Sequence, residues 1–323
     1  MILRHCANNM RLAFILDPLD RLKPYKDTSL AIMREAAKRG HEVFVSFQGD
    51  MFLRHEQVRF LIHGFRFTEG PAWYALEHKM ECAPSEFDAV LMRKDPPFDN
   101  EYLYCTYLLE LAAMQGACVL NDPVSVRGWN EKLSIARFPQ FAPPFLVTSN
   151  SELIRDFLGE HGDIVVKPLD GMGGSEVYRL HAEDYNIGVI LENMTRFGQR
   201  TVMAQRYLPA ISEGDKRIIM IDGEPLPYAL ARIPKAGETR GNLAAGGKGV
   251  AQQLSARDLE IASTVGVELK QHGLFLVGLD VIGDYLTEIN VTSPTGMVEI
   301  AAQTDCDPAA MFMDILQNKY ARA

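Results

Sequence analysis

Near residue 129 the rhythm of this 323-residue chain changes. Before that point, short apolar runs alternate with helical patterns. Residues 12–16 (LAFIL), 43–47, 89–92 (AVLM) and 118–120 read as buried strands, with helices expected over 28–39 and 102–114. Asp27 or Thr28 can cap the first helix, and Gly40 stands where a helix C-terminus accepts a positive φ. Strand alternating with helix predicts a mainly parallel sheet covered on both faces, an open α/β layer over 10–128. Residues 48–88 carry no clear period and read as irregular.

From 129 onwards, strand follows strand. Residues 163–167 (DIVVK) and 176–180 (EVYRL) flank a glycine cluster, 186–194 reads as a short helix, and 201–205 as a strand. Residues 217–221 and 225–231 face each other across the turn Asp222-Gly223, and 275–282 with 286–291 form a last hairpin. Ser255 and Asp258 open a helix over 255–270 as a capping box, and Asp307-Pro308 starts a terminal helix. The glycine-rich stretch 234–249 is either a disordered surface loop or a lid over a water-sensitive intermediate. This half is α+β and mostly antiparallel.

Composition closes off several function classes. Apolar residues make up 47% of the chain, too many for a disordered one and enough for a sizeable core. The 42 acidic against 33 basic residues give a formal charge of −9, which disfavours nucleic acid and anionic membrane as partners. A local basic cleft for a small anion remains open. No apolar run approaches the roughly 18 residues a membrane span needs, and residues 1–9 lack the apolar stretch of a signal peptide. Because Met10 begins a basic-then-apolar strand start, residues 1–9 read as an extension ahead of the domain. Cys6, Cys82, Cys105, Cys118 and Cys306 form neither a CxxC pair nor a Cys/His cluster, which speaks against structural zinc and for a reducing cytoplasm. The eight histidines show no HExxH, and no GxSxG elbow supports a nucleophilic triad. Tyr102, Tyr104 and Tyr107 read as helix core rather than a stacking platform for bases.

Three constellations carry chemistry. Asp170 to Gly174 (DGMGG) is a tight turn or a phosphate cradle, since backbone N–H groups approach phosphate closely only where side chains are absent. Lys167, just ahead of it at the end of a buried strand, favours the cradle, and Lys132 is a second phosphate candidate. Asp280, Glu288 and Asn290 form an all-oxygen set suited to Mg²⁺ if their hairpin has the right register. A two-residue turn at Gly283-Asp284 sets Asp280 on the face opposite Glu288, whereas a three-residue loop sets the two acids directly across from each other. Arg217 and Arg232, on the two arms of one hairpin, can share a face and stabilise charge on a transferring phosphoryl group or an acyl phosphate.

Taken in order, Leu91 to Asp99 (LMRKDPPFD), Lys167 to Gly174 (KPLDGMGG), Ala231 to Pro234, Gly237 to Gly247 (GETRGNLAAGG) and Leu286 to Thr295 (LTEINVTSPT) resemble bacterial glutathione synthetase. The glycine cluster alone occurs across the wider ATP-grasp superfamily. The resemblance implies an N-terminal pre-ATP-grasp domain (10–128), a central lid subdomain (129–208) and a C-terminal catalytic subdomain (209–323), with ATP between the last two. It implies ligation of γ-glutamylcysteine to glycine with ATP converted to ADP and phosphate, in a cytoplasmic homo-oligomer (dimer or tetramer) that binds neither membrane nor nucleic acid. Carried over by motif position, Lys132, Lys167, Gly171, Gly173 and Gly174 would hold the ATP phosphates, with the two lysines also reaching the adenine edge. Gln205, Tyr207 and Leu208 would line the adenine pocket, and Asp215 would meet the ribose. Asp280, Glu288 and Asn290 would hold Mg²⁺, with Mn²⁺ as a substitute, and Arg217, Arg232 and Asn290 would serve catalysis. Arg240, Ser293, Thr295 and Gly296 would contact substrate. Competing readings are another ATP-grasp ligase, such as a D-alanine ligase or one acting on a protein tail, and a nucleotide-binding module without turnover.

Overall fold

The computed structural model describes residues 9–69, 72–235, 237, 241 and 246–321. Its first sheet holds seven strands: β1 (Arg11–Leu16), β2 (Glu42–Phe47), β3 (Met51–Arg54), β4 (Gln57–Phe67), β5 (Tyr74–Cys82), β6 (Ala89–Met92) and β7 (Val119–Leu120). The order is β3-β4-β2-β1-β6-β7, with β5 on β4. β2, β1, β6 and β7 run parallel, covered by helices α1 (Thr28–Lys38), α2 (Asn100–Met114) and α3 (Pro123–Gly128). Asp27 caps α1 by accepting from Leu30 N at 2.9 Å, and Gly40 follows that helix with φ of +85°.

Residues 48–88 are not irregular. β3, β4 and β5 form an antiparallel ribbon laid on β2. β4 has the period of a half-buried strand: Val58, Phe60 and Ile62 are buried and the residues between them are not. β5 is a polar edge strand, exposed over its Glu77–Glu81 stretch, so no apolar alternation marks it. Helix α2 brings a second correction. Tyr102, Cys105, Leu109 and Ala112 follow the helical period onto the sheet, whereas Tyr104 and Tyr107 lie off that stripe and are 54% and 47% exposed.

The second sheet, order β10-β9-β11-β8, comprises β8 (Phe145–Thr148), β9 (Asp163–Pro168), β10 (Tyr178–His181) and β11 (Val202–Arg206). Helices α4 (Ser151–His161) and α5 (Ile187–Thr195) cover one face over a small core of Ile154, Ile164, Val166, Leu191 and Val202. The third sheet, order β14-β13-β12-β15-β16, comprises β12 (Asp215–Ile221), β13 (Glu224–Ile233), β14 (Lys248–Gln253), β15 (Leu276–Ile282) and β16 (Tyr285–Asn290). Against it lie α6 (Ala256–Gln271), which opens on the expected Ser255/Asp258 capping box, then α7 (Met297–Ala301) and α8 (Pro308–Tyr320). The first and third sheets share one core, in which Leu12, Phe14 and Leu16 belong to the same cluster as Ile219, Ile221, Phe275 and Phe312.

A polar joint locks the two sheets. The Asn121 amide, just past β7, donates to Leu276 O and Val291 O and accepts from Leu276 N, all at 2.7–2.9 Å. Three main-chain groups that would otherwise be orphaned in the core are satisfied by one side chain. No helix among the described residues is long and apolar enough to cross a membrane.

At the edge of the first sheet, His41 is buried and its Nδ1 accepts from Met10 N at 3.2 Å. Burial holds its imidazole below the usual pKa, so the neutral ring is the folded form. The stability it contributes is complete above the unfolded pKa of about 6.5 and is lost as pH falls through the lower folded value. We expect melting curves of the wild type to lose more stability between pH 7.5 and 5 than those of His41→Asn, which keeps an acceptor but does not titrate.

Candidate active site

Alternation puts Asp215 and Arg217 on one face of β12. Register does the rest: Arg232 on β13 stands opposite Asp215, Asp280 on β15 opposite Arg217, and Glu288 on β16 opposite Asp280. The hairpin resolves the open register in an unexpected way. Its turn is the short one, Gly283-Asp284, with Ile282 paired to Tyr285. A bulge at Thr287 then inserts one residue into β16 and brings Glu288 across from Asp280. The Thr287 hydroxyl donates to Asp280 O at 3.1 Å and fastens the bulge.

Asp280 is the centre of this face. Arg217 donates to it through Nε and through Nη2 at 2.9 Å, Arg232 pairs with it at 2.8 Å, and Asn290 Nδ2 donates at 3.2 Å. Burial pushes its carboxyl up, but the two guanidiniums outweigh that and hold it below the usual range. Asp215 also bonds Arg232, yet burial wins there and raises its carboxyl; its Oδ1 has no hydrogen-bond partner among the described residues. Gly278 makes room for Arg217, since a Cβ there would lie 2.7 Å from its Cδ; Gly296, with φ of +125°, adjoins the same side chain at ordinary contact distance. Lys216, between the two site residues of β12, points away and pairs with Asp258.

The second sheet supplies the opposite wall. Lys167, on β9, pairs with Glu288 at 3.1 Å, and Lys132 lies 3.8 Å from the same oxygen while donating to Gly171 O at 2.7 Å. Both lysines are buried, and despite its own burial Glu288 is held below the usual carboxylate range by their charge. The glycine loop between β9 and β10 turns with φ of +66° at Gly173 and +78° at Gly174, and a Cβ on Gly171 would strike Pro168 Cγ at 2.7 Å. A residue with no earlier reading fastens both ends of this loop. Arg200 bonds Asp170 at 3.0 Å and forks onto Glu176 at 2.9 and 3.2 Å.

Between the walls runs a cavity of about 450 Å³. Gln205, Tyr207 and Leu208 line one end, where Gln205 Nε2 is buried without an acceptor and Arg179 stacks on Tyr207 at 3.6 Å. Lys167, Gly171, Gly173, Gly174, Asp215, Arg217, Arg232, Glu288 and Asn290 line the middle, and Ser293 and Thr295 lead to the other end. Gly296 sits behind the lining, against Arg217 and Leu230. Arg240, with half of the 234–249 stretch, lies outside the described residues; Lys248 and Gly249 already belong to β14.

Further lining residues escaped the sequence reading. Glu131 adjoins Lys132, accepts from the Thr292 hydroxyl at 3.1 Å, and its carboxyl is pushed up by burial. Asp95 accepts from the Ser293 hydroxyl, while Lys26 and Glu299 face the far end. Behind them buried Arg93 donates to Ser29 Oγ at 3.0 Å and to Pro294 O at 2.8 Å. Asp95 stands inside a motif already singled out and Glu131 directly before Lys132, whereas Lys26, Arg200 and Glu299 carry no local pattern.

No group of three His, Cys, Asp or Glu side chains converges as a metal cage among the described residues. Asp280 is engaged by arginines, which leaves Glu288 and Asn290 as hard oxygen donors on the cavity wall. That set fits a Mg²⁺ ion, which takes one or two protein ligands and completes its shell with phosphate and water.

Residues 10–127 match the model of the prokaryotic glutathione synthetase N-terminal domain, and 131–305 that of the ATP-grasp domain of the same enzyme. The chain belongs to the prokaryotic glutathione synthetase family. It is 58% identical to the glutathione synthetase of Nitrosomonas europaea, over 97% of this chain and 99% of that one. Identity to the glutathione synthetase of Pseudomonas aeruginosa is 50%, over 97% and 99%. Among solved structures, D-cycloserine synthetase DcsG superposes with a TM-score of 0.67 at 16% identity, over 96% of this chain and 99% of that one. The ATP-grasp ligase PsnB, in complex with minimal precursor, Mg and ADP, gives 0.62 at 17% identity, over 96% and 98%. These two likenesses establish the ATP-grasp fold.

Arg200 is mostly buried but Asp170 and Glu176 are exposed, so water screens its fork, which is worth roughly 1 kcal/mol at most. Arg200→Ala is expected to speed hydrogen exchange of the loop amides at residues 171–175 by about fivefold, the equivalent of about 1 kcal/mol, with the amides of β11 unchanged.

Proposed function

We propose that this family member ligates γ-glutamylcysteine to glycine while ATP becomes ADP and phosphate. The observation that carries the reading is Asp280 pinned under Arg217 and Arg232, with Glu288 and Asn290 beside it and the buried Lys167 and Lys132 facing it across one cavity. Binding a nucleotide alone would not need two buried guanidiniums ahead of its phosphates.

In this reading the adenine lies against Gln205, Tyr207 and Leu208, whose orphan amide N–H suits a ring acceptor. Asp215 meets the ribose. The phosphates lie under Gly171, Gly173 and Gly174, with Lys132 and Lys167 as point charges. Glu288 and Asn290, with Asp280 behind them, would hold Mg²⁺ or Mn²⁺, which offsets phosphate charge when bound. The donor's cysteinyl carboxylate attacks the γ-phosphorus; the bond to the β-phosphate oxygen breaks and ADP leaves. The glycine amine, having shed a proton, then attacks the acyl carbon, and phosphate departs. Arg217 and Arg232 stabilise charge on the acyl phosphate and on the tetrahedral oxyanion, while Asn290 helps orient the reacting carboxylate. Ser293, Thr295, Gly296 and Arg240 serve the acceptor and its carboxylate, and the 234–249 stretch keeps water from the acyl phosphate. A thiol-bearing substrate suits a reducing cytoplasm, as does the lack of a disulfide at Cys82, Cys105, Cys118 and Cys306.

The deciding measurement is ADP release with γ-glutamylcysteine and glycine against other acid–amine pairs. Release confined to the dipeptide with glycine is expected. Equal release with D-alanine would move the chain to another ATP-grasp ligase, and none with any pair would leave a binding module. Self-association belongs to the same reading: Tyr104, Tyr107 and Met114 give α2 an apolar outer face. Native mass should show a dimer or tetramer, and a monomer at micromolar concentration would refute this part.

A further inference from the structure

The end of the cavity at Gln205, Tyr207 and Leu208 is backed by a cation. Arg179 stands on β10, the edge strand of the second sheet, opposite Val165 on β9, which stands opposite Gln205 on β11. Residues paired across a sheet share a face, and Val165 and Gln205 both line the cavity. Arg179 therefore rises from the cavity face. Asp163, two residues before Val165, shares that face and draws the side chain along the sheet. Arg179 Nε donates to Asp163 Oδ1 at 3.0 Å and Nη2 to Oδ2 at 2.6 Å.

That fork fixes the plane of the guanidinium, whose carbon lies 3.6 Å from the centroid of the Tyr207 ring. Asp163 holds the same tyrosine a second time, since its carbonyl accepts from Tyr207 N at 3.0 Å. On the other side Arg206 N donates to Pro144 O at 2.9 Å, so main chain and ring are both tied at this point. The Arg179 and Asp163 side chains are 32% and 26% exposed, where an ion pair adds little to the fold. What the pair does fix is the ring.

We propose that Arg179 is a positioning residue for the nucleotide base: anchored on Asp163, it holds the Tyr207 ring, a wall of the adenine pocket, in place before the nucleotide arrives. The inference rests on the nucleotide part of the proposed function and is independent of its acid and amine. The other basic groups named in that function meet phosphate or carboxylate charge. Arg179 acts on an uncharged base, through a ring, so its loss reads out in nucleotide affinity alone. A lysine would place a charge over the ring without the fork that orients it.

Two readouts on the full chain test this: the Kd of ADP by titration calorimetry, and kinetics with γ-glutamylcysteine, glycine and ATP. Arg179→Met keeps the stem and loses both stack and fork. It should raise the Kd of ADP and the KM for ATP about three- to tenfold, while kcat and the KM of dipeptide and glycine stay within about twofold. Arg179→Lys should fall between it and the wild type. In a Tyr207→Leu background, Arg179→Met should cost no further ADP affinity, because the ring through which it acts is gone. An unchanged Kd, a full loss in the Tyr207→Leu background, or an equal rise in the KM of every substrate overturns the assignment. A wild type that binds ADP and ligates nothing overturns the ligase reading, and calorimetry alone then decides this one. A wild type that binds no ADP overturns both.

Discussion

One buried carboxylate organises this molecule. Asp280 is 2% exposed and lies under two guanidiniums that come from different strands. Taking such charges out of water costs several kcal/mol per ion, offset only where geometry and further hydrogen bonds are good. Much of the surrounding fold supplies that geometry. The registers of β12 with β13 and β15 align the three residues, Gly278 clears space for the Arg217 stem, and the Thr287 bulge returns Glu288 to the cluster. A hydrophobic replacement of similar volume would be cheaper for stability. Its retention therefore speaks for a function that needs fixed charge in a low-dielectric wall.

The cavity could not be made by one sheet. The third sheet carries the arginines and acids, the second brings Lys167 and the glycine loop, and the first brings the 21–27 loop and Asp95. Each junction is polar and directional: Asn121 joins first to third, Arg93 ties α1 to the loop after β16, and Lys167 with Lys132 meets Glu288. Apolar packing supplies the bulk of the cohesion between the first and third sheets, but it would tolerate sliding. Hydrogen bonds with fixed donors and acceptors set the alignment to within tenths of an ångström.

Much of this was legible in the chain, and the misses have physical causes. Strand and helix periods located β1, β2, β6 and both long N-terminal helices because their buried faces are continuous. The ribbon of β3, β4 and β5 was missed because its edge strand hides apolar alternation behind charged residues. Tyr104 and Tyr107 misled because aromatic content, rather than helical phase, suggested burial. At the site, motif residues with local partners were readable: Lys167 beside its glycines, Glu288 beside Asn290. The register of the last hairpin was not, since a bulge leaves no mark in residue type. Arg200, Lys26 and Glu299 were invisible for another reason. Each draws its meaning from groups tens or hundreds of positions away, which only the folded chain brings near.

Charge shows the same contrast between chain and site. The whole sequence carries a formal −9, yet the cavity is lined by eight Lys and Arg against six Asp and Glu, a net of +2. An acidic exterior repels anions in general, while a positive cleft with low-dielectric walls focuses the field and admits those that reach it. Net charge alone would make such a cleft a sink for any phosphate. The interleaved acids prevent that: Asp280, Asp215 and Glu288 already pair with Arg217, Arg232 and Lys167, so a simple anion gains little by displacing them. A ligand gains only when it brings its own pattern of charges, anionic in the middle of the cavity and balanced at the far end. Specificity here comes from the arrangement of opposite charges and less from the amount of either.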